Sequence, residues 1–193
     1  MNREIEDKII NSRILFIDNE INIEEANKLI INLLYLDSIS HEDINLYINS
    51  PGGDLSAGLA IIDIINNIKS NVNTICLGRC YSMAAIILAC GNKGKRAMLP
   101  NSEVMIHEVA ITHMEGRTKD VLRIANMTKE KNEKILSILA KNTNLTINNL
   151  KELTKTDYYM NAEEALEKGF IDKIIDNKKS NINPKIDSEL YDL

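Results

Sequence analysis

Short apolar runs and segments of helical period alternate along almost the whole chain, and this alternation restricts its fold more than any other feature. Arg13-Ile14-Leu15-Phe16-Ile17 reads as a strand. Asn22, three residues before Glu25, then opens a helix in the manner of a capping box, with Ala26, Leu29, Ile30, Leu33, Leu34 and Leu36 forming one apolar stripe. Residues 44–48 form a second strand that runs into Asn49-Ser50-Pro51-Gly52-Gly53, a strong turn signal. The pattern then predicts a helix over 56–69, a strand over 73–77, an apolar helix over 82–90 and short strands over 97–99 and 104–107. Thr118 caps a long helix to about Lys141, with Val121, Leu122, Ala125, Ile135, Leu136 and Leu139 on its apolar side. Its middle, 128–133, is polar all round and so faces solvent or a partner. A short helix over 147–153, another capped by Asn161 and stopped by Gly169, and a last strand over 171–175 complete the series. The expectation is one α/β domain with helices packed over sheet.

Composition narrows the function classes. A length of 193 residues fits a single domain that builds its core without disulfides or metal. A net charge of −5 with 4% aromatic residues argues against a dedicated nucleic-acid binder. The three cysteines, Cys76, Cys80 and Cys90, are odd in number and form no CxxC pair, which favours a reducing cytosol. The charged start has no apolar signal-peptide core, and the longest apolar run, eight residues from 83 to 90, falls well short of the roughly 20 needed to cross a bilayer. No HExxH and no Cys/His pair at ligand spacing supports a zinc site, and no cofactor is expected. A general-base histidine is one of three: His41, His107 or His113.

Three places carry candidate chemistry, and each also has a plain structural reading. Gly52-Gly53 after a strand is either a tight turn or a source of free N–H groups for an oxyanion. Ser82, where a strand gives way to an apolar helix, is either an N-cap or a nucleophile with the Met83 amide beside it. The G-x-S-x-G elbow is absent, since Cys80 and Ala84 flank the serine. His107 ends an apolar strand and is either a core histidine or the base toward a serine. His41 and His113 lie in polar, loop-like stretches.

Taken together, the segments 46–53, Ala57-Gly58, Thr74-Ile75-Cys76, Ser82-Met83, 91–96, Leu99-Pro100-Asn101-Ser102, Met105-Ile106-His107, Ala162-Glu163-Glu164-Ala165, Gly169 and Ile171-Asp172 closely resemble the proteolytic subunits of Clp proteases, the ClpP family. The resemblance runs from about Arg13 to Ile175 and implies a ClpP/crotonase-like fold: stacked short strands, helices outside, and a protruding handle over about 108–141. It divides the chain into a short segment 1–12, the peptidase domain 13–175 and a loosely ordered tail 176–193. It implies Ser82 as nucleophile, His107 as general base and Asp157 as the acid that orients the histidine, with Gly53 and Met83 giving the oxyanion-hole amides. It implies a cytoplasmic serine endopeptidase in protein quality control, assembled as two stacked heptameric rings. A separate ATP-dependent AAA+ unfoldase would feed unfolded polypeptides into the chamber. Neither nucleic acid nor membrane is an expected partner.

The chain departs from the family pattern in four places. About a dozen residues precede Arg13, implying a stunted pore loop. Asn45 and Asn67 stand where the unfoldase-docking pocket is usually aromatic, a loss of about 2 kcal/mol of apolar burial per site, although Tyr47 is kept. His107-Glu108-Val109 and a single Gly116 replace His-Gln-Pro and a glycine-rich stretch, implying altered substrate preference or handle order. Arg79, Cys80 and Tyr81 replace smaller or neutral neighbours of the nucleophile, with Tyr81 expected to crowd the cleft and Cys80 to be open to oxidation; Thr156 replaces a basic residue. Two alternatives follow: a low-activity paralogue that completes a mixed ring with a second ClpP-type subunit, and a crotonase-like acyl-CoA hydratase or isomerase.

Overall fold

The computed structural model describes residues 3–110 and 115–175. In chain order these form α1 (Arg3–Asn11), β1 (Ile14–Ile17), α2 (Ile23–Ile39), β2 (Ile44–Ser50), α3 (Leu55–Asn67), β3 (Val72–Tyr81) and α4 (Met83–Ala89). They continue with β4 (Ala97–Met98), β5 (Glu103–Ile106), α5 (Thr118–Asn142), α6 (Ile147–Leu153), β6 (Tyr158–Met160), α7 (Ala162–Glu167) and β7 (Lys173–Ile174). The strands join one seven-stranded sheet with a main path β1-β2-β3-β4-β7. All pairs on that path are parallel. Helix-linked strands therefore present their carboxyl ends on one side, where open α/β sheets place their sites.

β3 is the pivot of this sheet. Its first half, at Ile75 and Cys76, pairs with β4, and its second half, at Arg79, Cys80 and Tyr81, pairs in parallel with β5. The switch coincides with a bulge: Ile48 and Ser50 of β2 are two residues apart, whereas their partners Cys76 and Cys80 are four apart. The added residues re-aim the end of the strand, as bulges do. The sequence pattern predicts this strand only over 73–77, since Gly78 follows. The strand instead continues to Tyr81.

The remaining elements form for local reasons. Asn22 caps α2 by accepting from the Glu25 N–H at 2.9 Å, as its spacing predicts. Asp54 caps α3 through the Ala57 N–H at 2.7 Å. α4 is buried at every position, which fits an apolar helix held between the sheet and the neighbouring helices α3 and α5. The expected Thr118 cap does not form: Arg117 holds the cap position, with no side-chain bond to the helix. In α5 only Ile135, Leu136 and Leu139 are buried, so Val121, Leu122 and Ala125 do not join the core and the first half of the helix stands away from it. α1 and β6 were not legible beforehand. α1 is mostly charged, yet its Ile10 packs on the core, and β6 is a three-residue strand defined by its partner β5. His113 and the tail 176–193 lie outside the described residues.

Candidate active site

One strand pairing brings the serine and the histidine together. Ser82 follows the last residue of β3, and His107 follows the last residue of β5. The parallel β3–β5 ladder ends with the Ser82 N–H donating to the Met105 carbonyl at 2.8 Å. Ser82 itself sits at φ 52 and ψ −121, in the left-handed half of backbone space that costs a non-glycine residue about 1–3 kcal/mol. Its side chain does not cap α4, so the plain capping role is not the one it fills. Ser82 Oγ lies 2.8 Å from His107 Nε2. In the tautomer protonated at Nδ1, the Ser82 hydroxyl donates to Nε2, the geometry a general base needs.

The glycine turn packs directly on the nucleophile. A Cβ on Gly52, at φ +94, would come within 2.6 Å of the Tyr81 carbonyl oxygen, 2.8 Å of Ser82 Cβ and 3.0 Å of the Met83 nitrogen. Only glycine fits both that conformation and that approach. The turn is pinned by Ile21, whose N–H donates to the Gly52 carbonyl at 2.7 Å and whose carbonyl accepts from Asp54 N–H at 2.6 Å. Among the described residues the Gly53 N–H is left without an acceptor. The Met83 N–H, at the first turn of α4, has no intrahelical acceptor. Met83 is anchored from behind: a Cβ on Gly58 of α3 would lie 2.2 Å from its Cγ. Gly53 and Met83 both line the cleft that holds Ser82 and His107.

That cleft has a volume of about 510 Å³. Its floor is apolar, from Met83, Ile86, Ile135, Leu136 and Leu139, and Glu20, Asp54, Glu108 and Lys131 stand around it. One wall is the segment after His107. Glu108 N–H donates to the Thr154 carbonyl at 3.1 Å, and Asn132 of α5 both accepts from the Val109 N–H at 3.2 Å and donates to Glu108 Oε1 at 3.3 Å. Asn132 is a residue the sequence reading passed over. Its only signal was the polar stretch 128–133, read as a face toward solvent or a partner.

Asp157 lies at the matching end of the antiparallel β5–β6 ladder. Ile106 pairs with Tyr158, so His107 and Asp157 occupy the next positions of that register. The Asp157 side chain is exposed, and among the described residues no hydrogen bond joins it to the imidazole. The structure thus brings Ser82, His107, Gly53 and Met83 around one cleft and leaves Asp157 beside it, unengaged. His41 is away from the cleft, exposed on α2's trailing loop 3.2 Å from Asp37.

Two expectations about the nucleophile's neighbours are corrected. Tyr81 does not crowd the cleft: it is not among the residues that line it, and its hydroxyl is held by Glu103, donating to Oε1. That bond, together with burial, pushes the phenol up to about 12. Cys80 is fully buried, and burial with Cys76 beside it raises its thiol well above the usual range, so it offers no thiolate for oxidation. Cys90 is likewise buried and pushed up to about 12.

A strand-end serine in strained backbone, a histidine within hydrogen-bond reach and two cleft-lining residues with unbonded amides are parts that an acyl-transfer site uses. A family model described as Clp protease matches residues 1–178, which takes in every strand end around this cleft. The chain belongs to the Clp protease family.

Proposed function

We propose that the chain is a serine endopeptidase subunit, with Ser82 as nucleophile, His107 as base and Asp157 as the orienting acid. The observation that carries this reading is the 2.8 Å Ser82–His107 contact, made by a serine whose side chain caps nothing. In the reaction Ser82 Oγ attacks a peptide carbonyl while its proton passes to His107 Nε2. The negative charge that forms on the carbonyl oxygen is met by the N–H groups of Gly53 and Met83, the latter at the positive end of α4. His107 returns the proton to the leaving amine, and water then releases the acyl group by the same steps in reverse. Asp157 holds the imidazole with its proton on Nδ1 and stabilises the imidazolium. No cofactor takes part.

The setting of this activity is a cytoplasmic chamber of two stacked seven-membered rings fed by an ATP-dependent unfoldase. Among the described residues no helix is long and apolar enough to cross a membrane. Apolar side chains left exposed on α2, at Ile31, Leu34, Tyr35 and Ile39, support burial against neighbouring copies. The docking face for the unfoldase is more polar than the family pattern: Asn45 is tied to Asn73 at 2.8 Å, and Asn67 bonds its own helix at the Asp63 carbonyl. A stacked Phe16–Tyr47 pair, centroids 5.5 Å apart, keeps one apolar patch there.

A second reading is favoured by one observation, the unengaged Asp157. It makes the chain a low-activity paralogue whose triad closes only in a ring shared with a second ClpP-type subunit. A fluorophosphonate probe separates the possibilities. The peptidase reading expects the isolated chain to label on Ser82, located by peptide mass mapping. The mixed-ring reading expects labelling to appear only after the second subunit is added. Labelling under neither condition would remove Ser82 as a nucleophile.

A further inference from the structure

We propose that Tyr81 is a positioning residue for the nucleophile: a clamp of Tyr81, Glu103 and Tyr159 locks together the three strands that carry Ser82, His107 and Asp157. The proposal rests on the serine-peptidase reading and adds to it a set of residues that do not line the cleft.

The register builds the clamp. Tyr81 of β3 pairs with Met105 of β5, and Met105 pairs with Tyr159 of β6, so the two tyrosines flank one residue of the central strand. Their rings meet edge to face, with centroids 5.7 Å apart and planes at 89°, a favoured arrangement for aromatic pairs. The Tyr81 hydroxyl reaches diagonally to the Glu103 carboxylate on β5, a charge-assisted bond across the ladder. The Arg79 guanidinium stands 5.8 Å from the centroid of the Tyr81 ring and closes the group. The ring pair and the Glu103 bond each join one site-bearing strand to another: Ser82 follows Tyr81, His107 follows β5, and Asp157 lies two residues before Tyr159.

The reason the site needs such a clamp is the backbone of Ser82. A residue held at φ 52 stays there only when its surroundings over-determine it. The Tyr81–Ser82 peptide has Gly52 packed against its carbonyl and Met105 accepting from its N–H, both on the cleft's own frame. What those contacts leave free is rotation of the strand end about its own axis. Because Ser82 follows Tyr81 directly, fixing the Tyr81 side chain against Glu103 and Tyr159 removes that rotation and with it limits the direction of Ser82 Oγ. The clamp touches neither substrate nor the reacting atoms and acts only through Ser82.

The test is steady-state hydrolysis of a short fluorogenic peptide by the full chain, with fluorophosphonate labelling rates and melting temperatures for each variant. Tyr81→Phe keeps the ring and removes the hydroxyl. The expected result is a kcat lower by about tenfold with KM within about twofold, since displacing a reacting group acts on the chemical step. Labelling should slow by a similar factor. Glu103→Gln keeps an acceptor oxygen and is expected within about threefold of wild type. Tyr159→Phe, whose hydroxyl has no partner among the described residues, is expected to match wild type. Wild-type kcat in Tyr81→Phe would overturn the clamp. So would a loss that Glu103→Gln reproduces in full with a parallel fall in melting temperature, the mark of general destabilisation. A wild-type chain that neither cleaves nor labels would overturn the peptidase reading and the clamp with it, whereas an active wild type beside an equally active Tyr81→Phe would overturn the clamp alone.

Discussion

At the scale of single residues, the site depends on two backbone conformations that ordinary residues avoid, φ 52 at Ser82 and φ +94 at Gly52. The first is paid for by its neighbours; the second is possible only because Gly52 has no side chain. Gly52→Ala would drive a Cβ into the Tyr81–Ser82–Met83 backbone and tilt the proposed oxyanion donors away. The expected loss in kcat for peptide hydrolysis is at least about a hundredfold, the scale of removing one such donor, with circular dichroism showing the fold retained. Asp157 is a separate residue-scale question, because it is placed by register and not yet bonded. If it orients His107, Asp157→Asn should lower kcat by about 10³–10⁴-fold, since the amide favours the wrong imidazole tautomer. A loss below about tenfold would mean that another group orients the histidine.

At the scale of elements, the loops between strands and helices are tied by half-buried charged groups at their ends. Arg13 donates to the carbonyls of Leu36, Ser40, Glu42 and Asp43, closing the end of α2 on the start of β2. Asp37 gathers the Ser70 N–H at 2.7 Å, the Ser70 hydroxyl at 2.9 Å and the Lys69 N–H at 3.1 Å, joining α2 to the loop before β3. Burial alone would raise the Asp37 carboxyl, but these bonds and His41 bring it down from 3.8 to about 2. A carboxylate depressed in the folded state adds stability that is present above its unfolded value and is lost as pH falls through the folded one. Asp37→Asn should therefore lower stability at pH 7 and flatten the loss that wild type shows between about pH 4 and pH 2. Urea unfolding at pH 7 and near pH 2.5 measures this. The same scale shows what was legible in the sequence. Period and caps located α2, α3, α6 and α7 closely, because their stabilising groups lie within a few residues of one another. The β3 bulge, the β5–β6 pairing and the Arg13 and Asp37 ties join residues 20 or more apart, and no local pattern records them. Ser82 and His107 were each ambiguous alone, since a cap and a core histidine look the same in sequence; the β3–β5 ladder that joins them is tertiary. Asp157 came only from the family resemblance.

At the scale of the whole molecule, a chain with a peptidase cleft also carries large apolar side chains with nothing over them. Ile31, Leu34, Tyr35 and Ile39 on α2 and Leu122 and Met127 on α5 are exposed in the isolated chain. If these faces are buried between copies in the proposed assembly, Ile31→Glu with Tyr35→Glu should shift native mass to smaller species. An unchanged mass would assign those residues no part in assembly. If an unfoldase docks on this face as proposed, Asn45→Tyr with Asn67→Phe should strengthen binding, and unchanged affinity would show that the two amides do not limit docking. The most direct measurement of the central claim is hydrolysis of a short fluorogenic peptide by the purified chain and by its Ser82→Ala variant, assayed at matched native mass. The expected result is turnover by wild type and none above background by Ser82→Ala. Equal hydrolysis by the two proteins would contradict the assignment of Ser82 and His107 as the catalytic pair.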